Sequence, residues 1–251
     1  MNMEGVSLAT AWFESWFESE HYLNLYSHRD KTDAMQLINF LRSEISLAPG
    51  ARILDLGCGP GRHSLIFASE GFNVTGFDLS NRLLQTASLE KSSEKSFLAL
   101  VRGDIRNMPF KGGFDLVMSI FTSWGYFTDD HENFQVLRDA LALRKDEGYF
   151  ILDVLNPAFL RENLVPSDTI FRNGVTYDIS REIEGDRVVK TISFFDGVEF
   201  RVYKESVRLY SAAEITSVLK DAGASKLTLY GDYNGTKFSS SSSPRLICIA
   251  S

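Results

Sequence analysis

The stretch ILDLGCGPGRHS, Ile53 to Ser64, constrains this chain more than any other. A short apolar run ends in glycines at alternate positions, Gly57, Gly59 and Gly61, and passes into residues that support a helix. Glycine reaches positive φ without a Cβ penalty and lets another group lie against bare main chain. The start of the following helix presents unpaired N–H groups, which favour a carboxylate or phosphate. Strand, bare turn and helix in that order belong to a parallel α/β sheet, where ligands sit beyond the carboxyl ends of the strands.

The rest of the chain continues the rhythm. Met35, Ile38, Leu41 and Ile45 lie three or four apart and mark one face of a helix over 33–45, which Pro49 and Gly50 stop. Strands are expected over 51–56, 73–77, 97–101, 114–120 and 149–155. Helices are expected over 61–69, after the capping Ser80, and over 129–144 behind an aspartate cap. After Asn156 the pattern alternates from Thr169 to Leu209, with EGD and DGVE as tight turns, so antiparallel strands are expected there. Ser211 and Glu214 form a capping box, Gly223 stops that helix, and 226–230 and 245–250 read as closing strands. The serine run Ser239 to Ser243 reads as a surface loop.

The expected fold is α/β: a doubly wound, Rossmann-like, seven-stranded and mostly parallel sheet with an antiparallel β insertion after the fifth strand. Residues 1–156 would hold N-terminal helices and the cofactor-binding core, 157–210 the inserted sheet as a substrate lid, and 211–251 the completion of the core sheet.

Composition narrows the function. With 251 residues, 44% of them apolar, the chain can bury a full core. A net charge of -7 disfavours nucleic acid as a partner. No basic leader precedes an apolar core, and no run approaches the ~18 apolar residues of a membrane span. A cytoplasmic protein is therefore expected, with no membrane partner and a homodimer left open. The two cysteines, Cys58 and Cys248, suit neither a disulfide scaffold nor a cysteine-rich metal site, and no metal is expected.

The turn is G-x-G-x-G, not the G-x-G-x-x-G of dinucleotide folds, and Arg62 and His63 stand where a diphosphate wants small residues. Asp55 just ahead of it suits a cationic group. The segment resembles motif I of the class I methyltransferases that use S-adenosyl-L-methionine and release S-adenosyl-L-homocysteine. Further stations agree. VTGFDLS puts Asp78, followed by Leu79, where that family's acidic residue takes both ribose hydroxyls. VRGDIRNMPF supplies Asp104 for the adenine amino group and Ile105 for its ring. FDLVMSIFTSWGYF carries Ser119 to Phe121 under the methionine portion. The resemblance covers Arg52 to Val154 well and implies a cofactor floor of Asp55, Gly57, Cys58, Gly59 and Gly61.

Methyl transfer from a sulfonium is an in-line displacement, so alignment does most of the work, worth roughly 7 to 11 kcal/mol for well-oriented pairs. A base is needed only for an acceptor that arrives protonated; Tyr126, His131 and Asp153 are the candidates. The exit of the fourth strand has neither the Asn/Asp-Pro-Pro-aromatic motif of amino-directed nucleic-acid enzymes nor a cysteine nucleophile. The arrangement resembles small-molecule N- and O-methyltransferases that cover the site with N-terminal helices and an antiparallel insert. That likeness implies a small-molecule acceptor facing Ser123, Trp124, Tyr126, Asn156, Arg208 and Tyr210. Tyr22, Tyr26 and Arg29 share a helical face, from which Tyr26 and Arg29 would reach the donor. Arg245 begins the last strand.

Two other classes share parts of this pattern. An NAD(P)-dependent oxidoreductase has the same sheet but wants the wider glycine spacing and a Tyr-Lys or His-Asp pair. A non-catalytic methyltransferase-like binding protein would keep the fold and turn nothing over.

Overall fold

The computed structural model describes residues 11–28, 31–91 and 97–251. Helices α1 (Trp12–Phe17), α2 (Glu20–Leu25) and α3 (Lys31–Glu44) come first. The parallel series follows as β1 (Arg52–Leu56), α4 (Arg62–Ser69), β2 (Asn73–Asp78), α5 (Asn81–Glu90), β3 (Leu98–Arg102), β4 (Phe114–Ser119), α6 (Asp130–Ala142) and β5 (Arg144–Leu155). A short helix α7 (Pro157–Asn163) leads into β6 (Ser167–Arg172), β7 (Val175–Glu184), β8 (Arg187–Phe195) and β9 (Phe200–Arg208). The chain ends with α8 (Ala212–Asp221), β10 (Leu227–Tyr230) and β11 (Arg245–Ala250).

The main sheet has seven strands in the order β3-β2-β1-β4-β5-β11-β10. β11 pairs antiparallel with both its neighbours, while β1 to β5 are mutually parallel. Ile53 and Leu54 of β1 point to opposite faces and both are fully buried, as an interior strand covered on two sides requires. One apolar layer joins Leu54, Phe77, Val117 and Phe150 to α6 and α8; the other joins Ile53, Leu116, Met118 and Ile151 to α3 and α4. Strand order reverses between β1 and β4, so the loops leaving these strands diverge and open a crevice at their carboxyl ends.

The insertion is a separate four-stranded antiparallel sheet, β6-β7-β8-β9. Its inner face packs Tyr177, Ile179, Ile192 and Phe194 against Trp16 of α1 and Leu25 of α2. The N-terminal helices are thus held between this sheet and the crevice. Glu18, just after α1, accepts the Asn81 N–H at the start of α5 (2.6 Å), and Ser80 Oγ donates to the Phe17 carbonyl (2.8 Å). The capping box of Ser211 and Glu214 forms as expected.

Three elements depart from the sequence expectation, the first being α2, which ends at Leu25 and leaves Tyr26 as its C-cap beyond the expected helical face. β5 begins at Arg144, not Tyr149, because its pairing with Phe114 resumes across a register shift. Helix α7 was not foreseen; the Asn156 side chain caps it and Pro157 starts it, a combination that favours a helix even over seven residues.

Candidate active site

The turn after β1 takes left-handed φ values of 69° at Gly57, 56° at Gly59 and 76° at Gly61. The Gly57 N–H donates to the Phe77 carbonyl of β2 (2.8 Å), and the Gly59 N–H to Asp78 Oδ2 (2.8 Å). A Cβ on Gly57 would stand 2.6 Å from Ser123 Cβ, so the turn meets the loop after β4 by close approach. Gly61 serves packing instead: its Cβ would meet Ala87 of α5 at 2.8 Å. Cys58 is buried with its sulfur against Gly76, and it lines neither of the two cavities described below.

Asp78 ends β2 and is 7% exposed. Its Oδ1 accepts from the Ser80 N–H at 2.8 Å. Burial raises its carboxyl above the usual range against the pull of the Ser80 and Gly59 amides. A carboxylate has about four lone-pair positions, so acceptor capacity is left for two hydroxyls. Asp104 caps the short 3-10 turn Ile105–Asn107 and holds the Arg106 guanidinium at 2.6 Å. Partial burial raises the Asp104 carboxyl, but the Arg106 hydrogen bonds and charge outweigh it and lower the net value.

A cleft of about 580 Å³ lies over this turn, lined by Gly57, Gly59, Asp78, Leu79, Gly103, Asp104, Ile105 and Ser123 from the core and by Phe13, Phe17 and Tyr22 from the N-terminal segment. A second cavity of about 920 Å³ lies between the exit of β4, α7 and the inserted sheet. Phe17, Tyr22 and Tyr126 line both.

The exit of β4 is strained. Phe121 and Thr122 have φ of 60° and 65°, rare for residues other than glycine and more so for a β-branched one. Buried Asp153 of β5 holds them: its Oδ2 accepts the Phe121 N–H (2.9 Å) and the Tyr233 hydroxyl (2.7 Å), and its carbonyl accepts the Thr122 N–H (2.9 Å). Arg245 of β11 donates to Asp153 Oδ1 (2.7 Å) and to Thr122 Oγ1 (3.0 Å). Arg187 of β8 fastens the next residues, donating to the carbonyls of Tyr126 and Phe127, both at 3.0 Å.

The structure brings together Gly57, Gly59, Asp78, Leu79, Asp104, Ile105, Ser123 and Tyr126 from the sequence expectation, and places Tyr26 and Phe121 in the second cavity. It removes others from the cavity walls. Asp55 is buried behind the turn, where Ser64 Oγ donates to it at 2.6 Å, its Oδ1 has no hydrogen bond, and burial pushes its carboxyl up to about 7. Ser119 is buried in β4. Trp124 belongs to the core and donates to the Asn133 carbonyl (2.7 Å). Asn156 caps α7 and donates to the carbonyls of Ser240 and Ser243. Arg208 pairs with Asp130, Asp186 and Glu214, which ties the insert to α6 and α8, and the Tyr210 hydroxyl bonds Asp130 of α6. His131 is exposed in the first turn of α6 and lines neither cavity. Arg29 lies outside the described residues.

Asp153 sits behind the wall and not on it. Arg181, Lys190 and Glu205 of the insert do line the second cavity, and Tyr233 braces Asp153. None of these four was legible from sequence: the cavity face of a strand is known only once its register is fixed, and Tyr233 lies in the loop between β10 and β11. Among the described residues no group of His, Cys, Asp and Glu could hold a metal ion, and no helix is long and apolar enough to cross a membrane.

Comparison with known proteins agrees with this geometry. Residues 53–148 match a family model described as a methyltransferase domain. A putative methyltransferase of Bacillus subtilis, YqeM, is 29% identical over 79% of this chain and 83% of its own length. In solved structures, an S-adenosylmethionine-dependent methyltransferase of Clostridium acetobutylicum shares the fold at a TM-score of 0.73 and 21% identity, covering 92% of this chain and 96% of that one. The sugar N-methyltransferase KedS8 of a Streptoalloteichus species shares it at 0.69 and 17% identity, covering 93% and 92%. The chain thus carries a methyltransferase domain over residues 53–148 on the fold of S-adenosylmethionine-dependent methyltransferases, an arrangement consistent with a class I methyltransferase.

Proposed function

We propose that the protein methylates nitrogen or oxygen of a small-molecule acceptor, with S-adenosyl-L-methionine in the cleft over the β1 turn and the acceptor in the second cavity. The residues fit the cofactor. Asp78 offers acceptor capacity to paired hydroxyls, Asp104 offers it to an exocyclic amine, and Leu79 and Ile105 offer apolar surface to a ring. When bound, the cofactor supplies an electrophilic methyl group on a sulfonium. The backbone at Gly57 and Gly59 keeps the floor bare, and Phe13 and Phe17 of α1 exclude water from above.

The single observation that carries this reading is the junction of the cavities at Phe17, Tyr22 and Tyr126, where a donor on one side faces an acceptor on the other. Aromatic faces attract a cation, as a sulfonium is, and shield it from solvent. Residues 157–210 act as the substrate lid: Val188 and Val207 of the insert, Leu160 of α7 and the C-capping Leu164 wall the second cavity. Residues 1–156 with 211–251 form the catalytic core. The Streptoalloteichus neighbour is a sugar N-methyltransferase, which supports a small acceptor on this architecture. Mass spectrometry of a panel of small amines and alcohols incubated with the protein and deuteromethyl-labelled S-adenosylmethionine tests the reading. A product heavier by one labelled methyl is expected. Transfer to DNA, RNA or a protein alone would overturn it.

A further inference from the structure

The second cavity carries a charge pattern that methyl donation does not use. On the lid sheet Arg181 of β7 stands directly opposite Lys190 of β8, which stands opposite Glu205 of β9, and all three line the cavity. Like charges facing each other across a ladder destabilise a sheet, so the Arg181 and Lys190 pair costs stability unless an anion comes between them. Glu205 pairs with Lys190 at 3.5 Å and accepts from Trp16 Nε1 and the Tyr26 hydroxyl, both at 2.7 Å. Its acceptor capacity is engaged on that side. The guanidinium of Arg181 makes one hydrogen bond, to the Val165 carbonyl at 3.3 Å, and pairs with no carboxylate among the described residues.

Arg245 completes the pattern from the core sheet. A guanidinium has five N–H donors; Arg245 commits Nε to Asp153 and Nη2 to Thr122, and its side chain is 19% exposed on the cavity wall. Even with Asp153 counted behind Arg245, the cations of this cavity outnumber the carboxylates, in a chain whose net charge is -7. Guanidinium groups favour carboxylates because the planar fork matches two oxygens.

We propose that the acceptor carries a carboxylate, held in the second cavity by Arg181 and Arg245, with its apolar body against the aliphatic side chains of α7 and the lid. The proposal rests on the second cavity being the acceptor site. Arg181 and Arg245 then set specificity, and removal of Arg181 releases it without touching the methyl donor.

Isothermal titration tests this with benzoate, its neutral counterpart benzamide and the cation benzylamine, each added to protein saturated with S-adenosylhomocysteine. Benzoate is expected to bind at least about tenfold tighter than benzamide, the factor that one charge-assisted hydrogen bond supplies, and benzylamine not at all. In Arg181→Met the advantage of benzoate should vanish, in Arg181→Lys it should survive in part, and S-adenosylhomocysteine affinity should stay within about twofold of wild type in both. Equal binding of benzoate and benzamide, binding of benzylamine, or an advantage that outlasts Arg181→Met overturns the proposal. Failure to bind S-adenosylhomocysteine at all overturns the reading beneath it instead, so the two failures are distinguishable.

Discussion

Asp153 and Arg245 meet at 2.7 Å across the neighbouring strands β5 and β11, and between them they hold the left-handed backbone of Phe121 and Thr122 in place. Asp153 has no exposure to solvent. Removing one partner of a buried ion pair leaves the other charge uncompensated, at a cost of about 3 to 5 kcal/mol. Asp153→Asn should therefore lower Tm by on the order of 10 °C for a chain of this size. Scanning calorimetry checks it, and an unchanged Tm would show that the pair does not brace the loop.

Much of this architecture was legible in the sequence because the β1 turn, the caps at Ser80, Asp129 and Ser211, and the periodicities around them are local signals. The wall residues Asp78, Asp104 and Ile105 were legible for the same reason, since Asp78 ends β2 and the other two lie in the turn that leaves β3. Trp124, Arg208 and Tyr210 were misplaced because spacing along the chain does not say whether a polar side chain faces a cavity or a neighbouring helix; Asp130 of α6 claims two of them. Arg181, Lys190 and Glu205 lie on three different strands and become neighbours only through the register of the inserted sheet.

Gly57 combines backbone strain with steric contact. Gly57→Ala places a Cβ 2.6 Å from Ser123 Cβ at a φ of 69°. Gly185→Ala is the control, because Gly185 has a φ of 61° with open space around it. The control should lose roughly 1 to 2 kcal/mol from left-handed strain alone. Gly57→Ala should lose more in urea unfolding and should also bind S-adenosylmethionine at least about tenfold more weakly. Equal stability losses in the two variants, with cofactor affinity intact, would contradict the close approach.

The buried pair behind the turn makes opposing contributions to pH dependence. Burial pushes Asp55 from an ordinary 3.8 up to about 7, and burial with the Arg62 charge brings His63 from 6.5 down to about 3. Between about pH 4 and 7 the folded chain keeps a proton on Asp55 that the unfolded chain has released, so this contribution falls as pH rises. Between about pH 3 and 6.5 the unfolded chain binds a proton on its His63 that the folded chain does not, so that contribution rises. Relative to wild type, Asp55→Asn should gain stability from pH 4.5 to 6.5 and His63→Gln should lose it, with a slope of up to about 1.4 kcal/mol per pH unit. Urea unfolding at both pH values reads the slopes; parallel curves for all three proteins would refute the assignment.

Asp78 should dominate recognition of the ribose. Asp78→Ala removes a carboxylate from the cleft wall and should weaken S-adenosylhomocysteine binding by roughly 1.5 to 3 kcal/mol, about 10- to 150-fold. Tyr203→Phe, on the face of the inserted sheet against Trp16, should leave that affinity within about twofold. The ratio of the two dissociation constants by titration is the check, and a ratio near one would place the ribose elsewhere.

The most direct test of the central claim is isothermal titration of the wild-type protein with S-adenosylmethionine and, separately, with NAD. The account predicts one-to-one binding of S-adenosylmethionine and no heat from NAD, because the cleft over Gly57 and Gly59 has acceptors for an adenosine and no small-residue approach for a diphosphate. Saturable binding of NAD with none of S-adenosylmethionine would contradict it.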